Sequence, residues 1–177
     1  MCADASSFVL SRAKVEDIPE VVELQYDAFP DFARRAFMGC YSRDDIAKVA
    51  AYYMEEMRTD PSDIWIKVND VESGKIVAAS NWKLYSTSAL PHGTDKVPTW
   101  IEDEEAKELT RTILEPMNEL RLKENVGPFI RNAAEYRRRG VASMMMQWGC
   151  DLADLLSLPG WIEASPEGDQ PHQNPAV

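Results

Sequence analysis

Tyr136-Arg137-Arg138-Arg139-Gly140-Val141-Ala142-Ser143 places three arginines directly before an apolar stripe, Val141, Met145, Trp148, Leu152 and Leu155, spaced as one face of a helix. Arginines at a helix N-terminus are electrostatically awkward. The dipole's positive end and the unpaired amides of the first turn already attract negative charge. One reading is a solvated charge run ahead of a helix. The other is an anion cradle: Gly140 and Ala142 let backbone amides approach phosphate oxygens, and the guanidinium groups add planar donors.

The elements on either side predict an alternation of strands and helices. Just before the loop, Phe129-Ile130 followed by Arg131-Asn132-Ala133-Ala134-Glu135 offers a short and poorly apolar strand. Upstream of that, the acidic run Glu102-Asp103-Glu104-Glu105 opens a helix reaching Lys123, with Leu109, Ile113, Met117 and Leu120 as its apolar stripe and Pro116 as a kink. Asp63 to Val68 and Lys75 to Tyr85 form a hairpin around Val71-Glu72-Ser73-Gly74, with Ile76, Ala78, Trp82 and Leu84 sharing one parity. Nearer the start, Phe8 to Arg12 is extended, one helix opens at Glu16-Asp17-Ile18-Pro19 and runs to about Phe29, and a second runs from Ser42 to Arg58. Beyond the loop, Cys150 falls within an apolar helix, where a buried inert thiol is expected. Trp161-Ile162-Glu163-Ala164-Ser165 then reads as a strand, and the chain ends in a polar, proline-containing tail after Gly168.

Composition narrows the function. At 177 residues and 45% hydrophobic content, the chain suits one domain over residues 1–168 with a tail at 169–177. A formal charge of −11 argues against nucleic acid as a partner, so any anionic ligand must meet a local basic patch. No apolar run approaches the roughly 20 residues of a membrane-spanning helix, and no secretory signal is evident, so a cytoplasmic protein without a membrane partner is expected. Cys2, Cys40 and Cys150 are widely spaced and odd in number, and only His92 and His172 are present. Neither a disulfide framework nor a metal site is expected from such material.

Arg137-x-x-Gly140-x-Ala142 resembles the pyrophosphate loop of the GNAT superfamily of N-acetyltransferases: Gln or Arg, two residues, Gly, one residue, then Gly or Ala. The order of elements is also that of the superfamily, over about Phe8 to Gly168. Tyr136 to Gly168, including Gln147-Trp148-Gly149-Cys150-Asp151-Leu152-Ala153-Asp154 and Glu163-Ala164-Ser165-Pro166-Glu167-Gly168, looks like its fungal members. The resemblance implies an α/β (α+β) fold with a GNAT-like mixed central sheet flanked by helices. It implies acetyl-CoA as co-substrate, held by Arg137, Arg138, Arg139, Gly140, Val141, Ala142 and Ser143, and an acceptor amine on a small molecule or peptide. The amine attacks the thioester directly, so no enzyme nucleophile is required. Glu163 is the first candidate for general base and Glu135 the second, each with an ordinary surface glutamate as the alternative reading.

The superfamily usually continues past this point into a helix with a proton-donating tyrosine and a final hairpin. The tail Asp169 to Val177 has no tyrosine and no strand pattern. The expectation is therefore a GNAT domain truncated at its C-terminus and lacking the usual hairpin, with an exposed sheet edge through which a homodimer could form. The alternatives are a catalytically impaired CoA-binding relative and an interaction module.

Overall fold

Two apolar faces of one sheet decide where the helices pack. The computed structural model describes residues 7–86, 97–124, 127–134 and 141–162. Its strands β1 (Phe8–Arg12), β2 (Asp63–Asp70), β3 (Ile76–Tyr85), β4 (Phe129–Ala134) and β5 (Gly160–Ile162) lie side by side in chain order. β1 to β4 are antiparallel, and β5 joins β4 in parallel. The helices are α1 (Ile18–Ala28), α2 (Asp31–Met38), α3 (Ile46–Thr59), α4 (Glu104–Glu124) and α5 (Val141–Leu156).

Alternation along the strands divides the core into two layers. On the first face, Trp65 and Ala79 meet Ile18, Val21 and Val22 of α1 and Val49 and Ala50 of α3. On the second, Ile66, Val68, Ala78, Trp82 and Ile130 meet Val141, Met145 and Ala153 of α5. Ile18, Val21 and Val22 are all fully buried, each contributing about 1.5–3 kcal/mol by leaving water.

The hairpin forms as expected, but Ile76 does not share a face with Ala78 and Trp82. Val68 stands opposite Ala78 and Asn69 opposite Ile76, which leaves Val77 as the extra residue of a bulge. A bulge resets the alternation, so Ile76 packs in the first layer and Ala78 and Trp82 in the second.

The α4 stripe is also displaced. Ala106, Thr110, Leu114 and Arg121 are the buried positions, whereas Leu109 and Leu120 are 41% and 49% exposed. α4 packs against α2, and the Tyr41 hydroxyl just past α2 donates to the Ala106 carbonyl at 3.4 Å. Small Ala106 and Thr110 permit this approach. The helix runs through Pro116 from Glu104 to Glu124.

α2 itself does not stand out in the sequence, because its two phenylalanines, Phe32 and Phe37, face solvent. Its ends explain it. Pro30 and Asp31 open it, Arg34 and Arg35 both pair with Asp31, and Gly39 closes it at φ 60° with its N–H donating to the Arg35 carbonyl. A Cβ on Gly39 would also lie 2.8 Å from the Pro98 ring.

Three further expectations change. β4 is a full six-residue strand, since its backbone pairs with β3 from Tyr85 to Asn81 whatever the polarity of its sequence. Its anchors are fully buried Ile130 and Phe129, whose ring lies 4.8 Å from that of Tyr85. On α5, the buried stripe is Val141, Met145, Gly149 and Ala153. Leu155 is 80% exposed and the Cys150 thiol lies on the surface rather than in the core. The expected missing hairpin concerns residues outside those described.

Candidate functional site

β4, α5 and β5 make the one parallel crossover unit of the described sheet. Ile130, Arg131 and Asn132 stand opposite Gly160, Trp161 and Ile162. Parallel neighbours need a crossover connection, here provided by α5. In open α/β sheets, ligands bind outside the carboxyl ends of such strands. That end of β4 is also irregular: Trp82 pairs with Asn132 and Asn81 with Ala134, so Ala133 is the extra residue of a second bulge. A bulge bends its strand and frees backbone groups from the ladder. It does so here immediately before the chain leaves for residues 135–140 and α5.

The first turn of α5 completes this end. Val141 is 3% exposed and pins the turn to the second core layer. Ala142 is half-buried and Ser143 exposed. α1, α2 and α4 carry Glu20, Asp31 and the pair Glu104 and Glu105 in their first turns; α3 has none there but has Asp45 at its N-cap, and α5 carries no acid in its first turn. Its first amides have no intrahelical acceptors, and its dipole end lacks a side-chain counter-charge in that turn. Val141, Ala142 and Ser143 thus open the helix that follows β4 in the crossover. Arg137, Arg138, Arg139 and Gly140, and both candidate bases, Glu135 and Glu163, lie outside the described residues.

A polar cluster that sequence reasoning missed underlies the same strands. Asp63 on β2, only 5% exposed, accepts from Trp65 Nε1 at 2.9 Å and Asn81 Nδ2 at 2.8 Å, and pairs with Lys83 Nζ at 2.7 Å. Lys83 also reaches Asp60 at 2.9 Å and Glu56 at 3.7 Å. Burial disfavours the ammonium, yet attraction and hydrogen bonds from Asp63 and Asp60 raise its pKa well above the usual lysine value. For Asp60, burial opposes ionisation, but hydrogen bonds from Ser62 and Lys83 outweigh it and lower the pKa. The cluster ties the end of α3 to β2 and β3, and Asn81 is the residue paired with Ala134 beyond the β4 bulge. Its signal in the sequence is a single buried-type lysine between Trp82 and Leu84, which pattern alone does not pair with Asp63.

No family model and no curated protein matches the chain. Solved structures do. A predicted acetyltransferase with acetyl-CoA from Clostridium acetobutylicum matches with a TM-score of 0.54 at 13% identity, over 96% of this chain and 91% of that one. A GCN5-related N-acetyltransferase from Ralstonia eutropha matches with a TM-score of 0.53 at 11% identity, over 96% of this chain and 94% of that one. The fold is GNAT-like. At such identities the GNAT likeness concerns architecture, and it supports neither a fungal lineage nor a truncated domain. Among the described residues, no helix is long and apolar enough to cross a membrane, and no cluster of His, Cys, Asp and Glu is arranged to hold a metal ion.

Proposed function

We propose that the chain transfers acetyl from acetyl-CoA to an amine on a small molecule or peptide. What supports this is the acid-free first turn of α5, which follows the bulged end of β4 in a GNAT-like sheet and is preceded in sequence by Arg137-Arg138-Arg139-Gly140. In this reading the loop and the amides of Val141, Ala142 and Ser143 hold the pyrophosphate, and bulged β4 presents backbone groups to the pantetheine arm. When bound, acetyl-CoA supplies an activated acyl group as a thioester.

The acceptor must attack as a neutral amine, because a protonated one has no lone pair. Glu163 takes the proton, directly or through water, and Glu135 is the second candidate for this role. The nitrogen adds to the thioester carbonyl, the C–S bond breaks as the tetrahedral adduct collapses, and the departing thiolate takes a proton from water, so the products are an amide and CoA thiol. Fixing both partners supplies most of the rate by proximity.

A panel of primary amines, assayed by release of free CoA thiol, tests the reading. Turnover by the full chain, reduced about 100-fold or more in Glu163→Gln with the KM for acetyl-CoA unchanged, is the expected result. If no amine in the panel raises thiol release above the no-amine background, the reading fails.

A further inference from the structure

Beyond its bulge, β4 is held to the described sheet at one point. Among the described residues, β5 pairs with β4 as far as Asn132, and after the extra residue Ala133 the next pair is Asn81 with Ala134. Asn81 is thus the last described strand neighbour of β4 before the chain leaves for residues 135–140 and α5.

The composition of β4 does not select this register. Ala133 and Ala134 are the same residue, and Arg131 to Ala134 includes no large apolar side chain. Register is strongly specified where a hydrophobic pattern must face a core and weakly specified elsewhere. With Ala133 opposite Asn81 the ladder would run on without a bulge, and the backbone groups that the bulge frees would return to β3.

The β3 side supplies the constraint that β4 lacks. Trp65 is the β2 partner of Asn81, and Asp63 stands two residues before it. Asp63 Oδ1 accepts from Asn81 Nδ2 at 2.8 Å and pairs with Lys83 Nζ at 2.7 Å, while its Oδ2 accepts from Trp65 Nε1 at 2.9 Å. Lys83 is anchored in turn to Asp60 and Glu56 at the end of α3. Asp63 and Asn81 are both buried, so water competes little for these bonds and the carboxylate is a fixed point from which Asn81 is hung.

We propose that Asp63 is a positioning residue for the cofactor: acting through Asn81, it holds β4 in its bulged register and keeps the strand's free backbone groups available to the pantetheine arm. This role rests on the acetyl-CoA reading above. It adds to that reading a residue on the α3 side of the sheet, opposite the layer of α5.

The test is calorimetric titration of the full chain with acetyl-CoA and with 3′-phospho-ADP, the fragment of CoA that keeps the pyrophosphate and lacks the pantetheine arm. Asn81→Ala removes the tie to Asp63. It should weaken acetyl-CoA about tenfold, the equivalent of one or two hydrogen bonds to the arm, and leave 3′-phospho-ADP within about twofold of the parent. Trp65→Phe is the control: it removes the other hydrogen bond of the same carboxylate and disturbs the same core, but leaves Asn81 tied, so both affinities should stay within about twofold. If Asn81→Ala fails to fold, Asn81→Val, whose side chain suits a strand, is read in its place. If the fragment binds too weakly to measure, the contrast between Asn81→Ala and Trp65→Phe on acetyl-CoA decides. Equal weakening of both ligands by Asn81→Ala, no weakening of either, or the same loss in Trp65→Phe would overturn the positioning role and leave the cofactor reading standing. A folded parent that binds neither ligand would overturn the cofactor reading, and this role with it.

Discussion

Two residue-scale contacts set the clearest tests of packing. Gly149 is required by Trp82, whose ring would overlap any added Cβ. Gly149→Ala should destabilise the protein by about 1–3 kcal/mol despite alanine's better helix propensity, as overpacking does. Urea unfolding measures it, and an unchanged or raised midpoint would show that the ring is free to move. Asp63 is the acceptor for Trp65, Asn81 and Lys83 together. Asp63→Ala orphans two buried donors and removes a buried counter-charge, with an expected cost of about 3 kcal/mol, the low end for a broken buried pair because Asp60 still holds Lys83. Neither contact is written in the local sequence. Gly149 meets Trp82, and Asp63 meets Asn81 and Lys83, across long stretches of chain, and periodicity reports only which residues are apolar.

At the scale of elements, legibility follows from how local the deciding interaction is. The hairpin turn, the Pro19-bearing start of α1 and the acidic start of α4 are set by residues within a few positions, and all were readable. β4 was underrated because its strand character comes from β3 across the sheet rather than from its own composition. α2 went unread because its phenylalanines point outward and its limits rest on Pro30, Asp31 and Gly39. The α4 stripe was assigned by hydrophobicity, but small Ala106 and Thr110 mark the face that α2 approaches. Truncation separates the two alternatives. Leu114→Ala should cost about 2–5 kcal/mol and Leu120→Ala no more than about 0.5 kcal/mol. Equal costs would restore the stripe read from the sequence.

For the molecule as a whole, the acidic composition is organised rather than diffuse. Asp17, Asp45 and Asp60 each overcome a burial penalty through lysine and backbone hydrogen bonds, and each has a lowered pKa. A lowered carboxyl pKa stabilises the fold fully above the ordinary value of 3.8 and is lost as pH falls through the folded-state value. Lys83 is raised from 10.5, so its contribution is complete below that value and is lost only as pH climbs through the higher one. The melting temperature should therefore hold level from about pH 5 to 10 with respect to these four groups and fall below about pH 4. Asp60→Asn should shallow the acid limb, and an acid limb identical to that of the parent would remove Asp60 from the account. The proposed function rests on the opposite feature, a cationic segment in an anionic chain. The most direct measurement is calorimetric titration of acetyl-CoA into the full chain and into an Arg137→Ala/Arg139→Ala variant. Saturable one-to-one binding is expected, weakened more than tenfold in the variant by loss of charge-assisted bonds worth about 1.5–3 kcal/mol each. A folded parent protein that binds no acetyl-CoA, or a variant that binds it equally well, would contradict it.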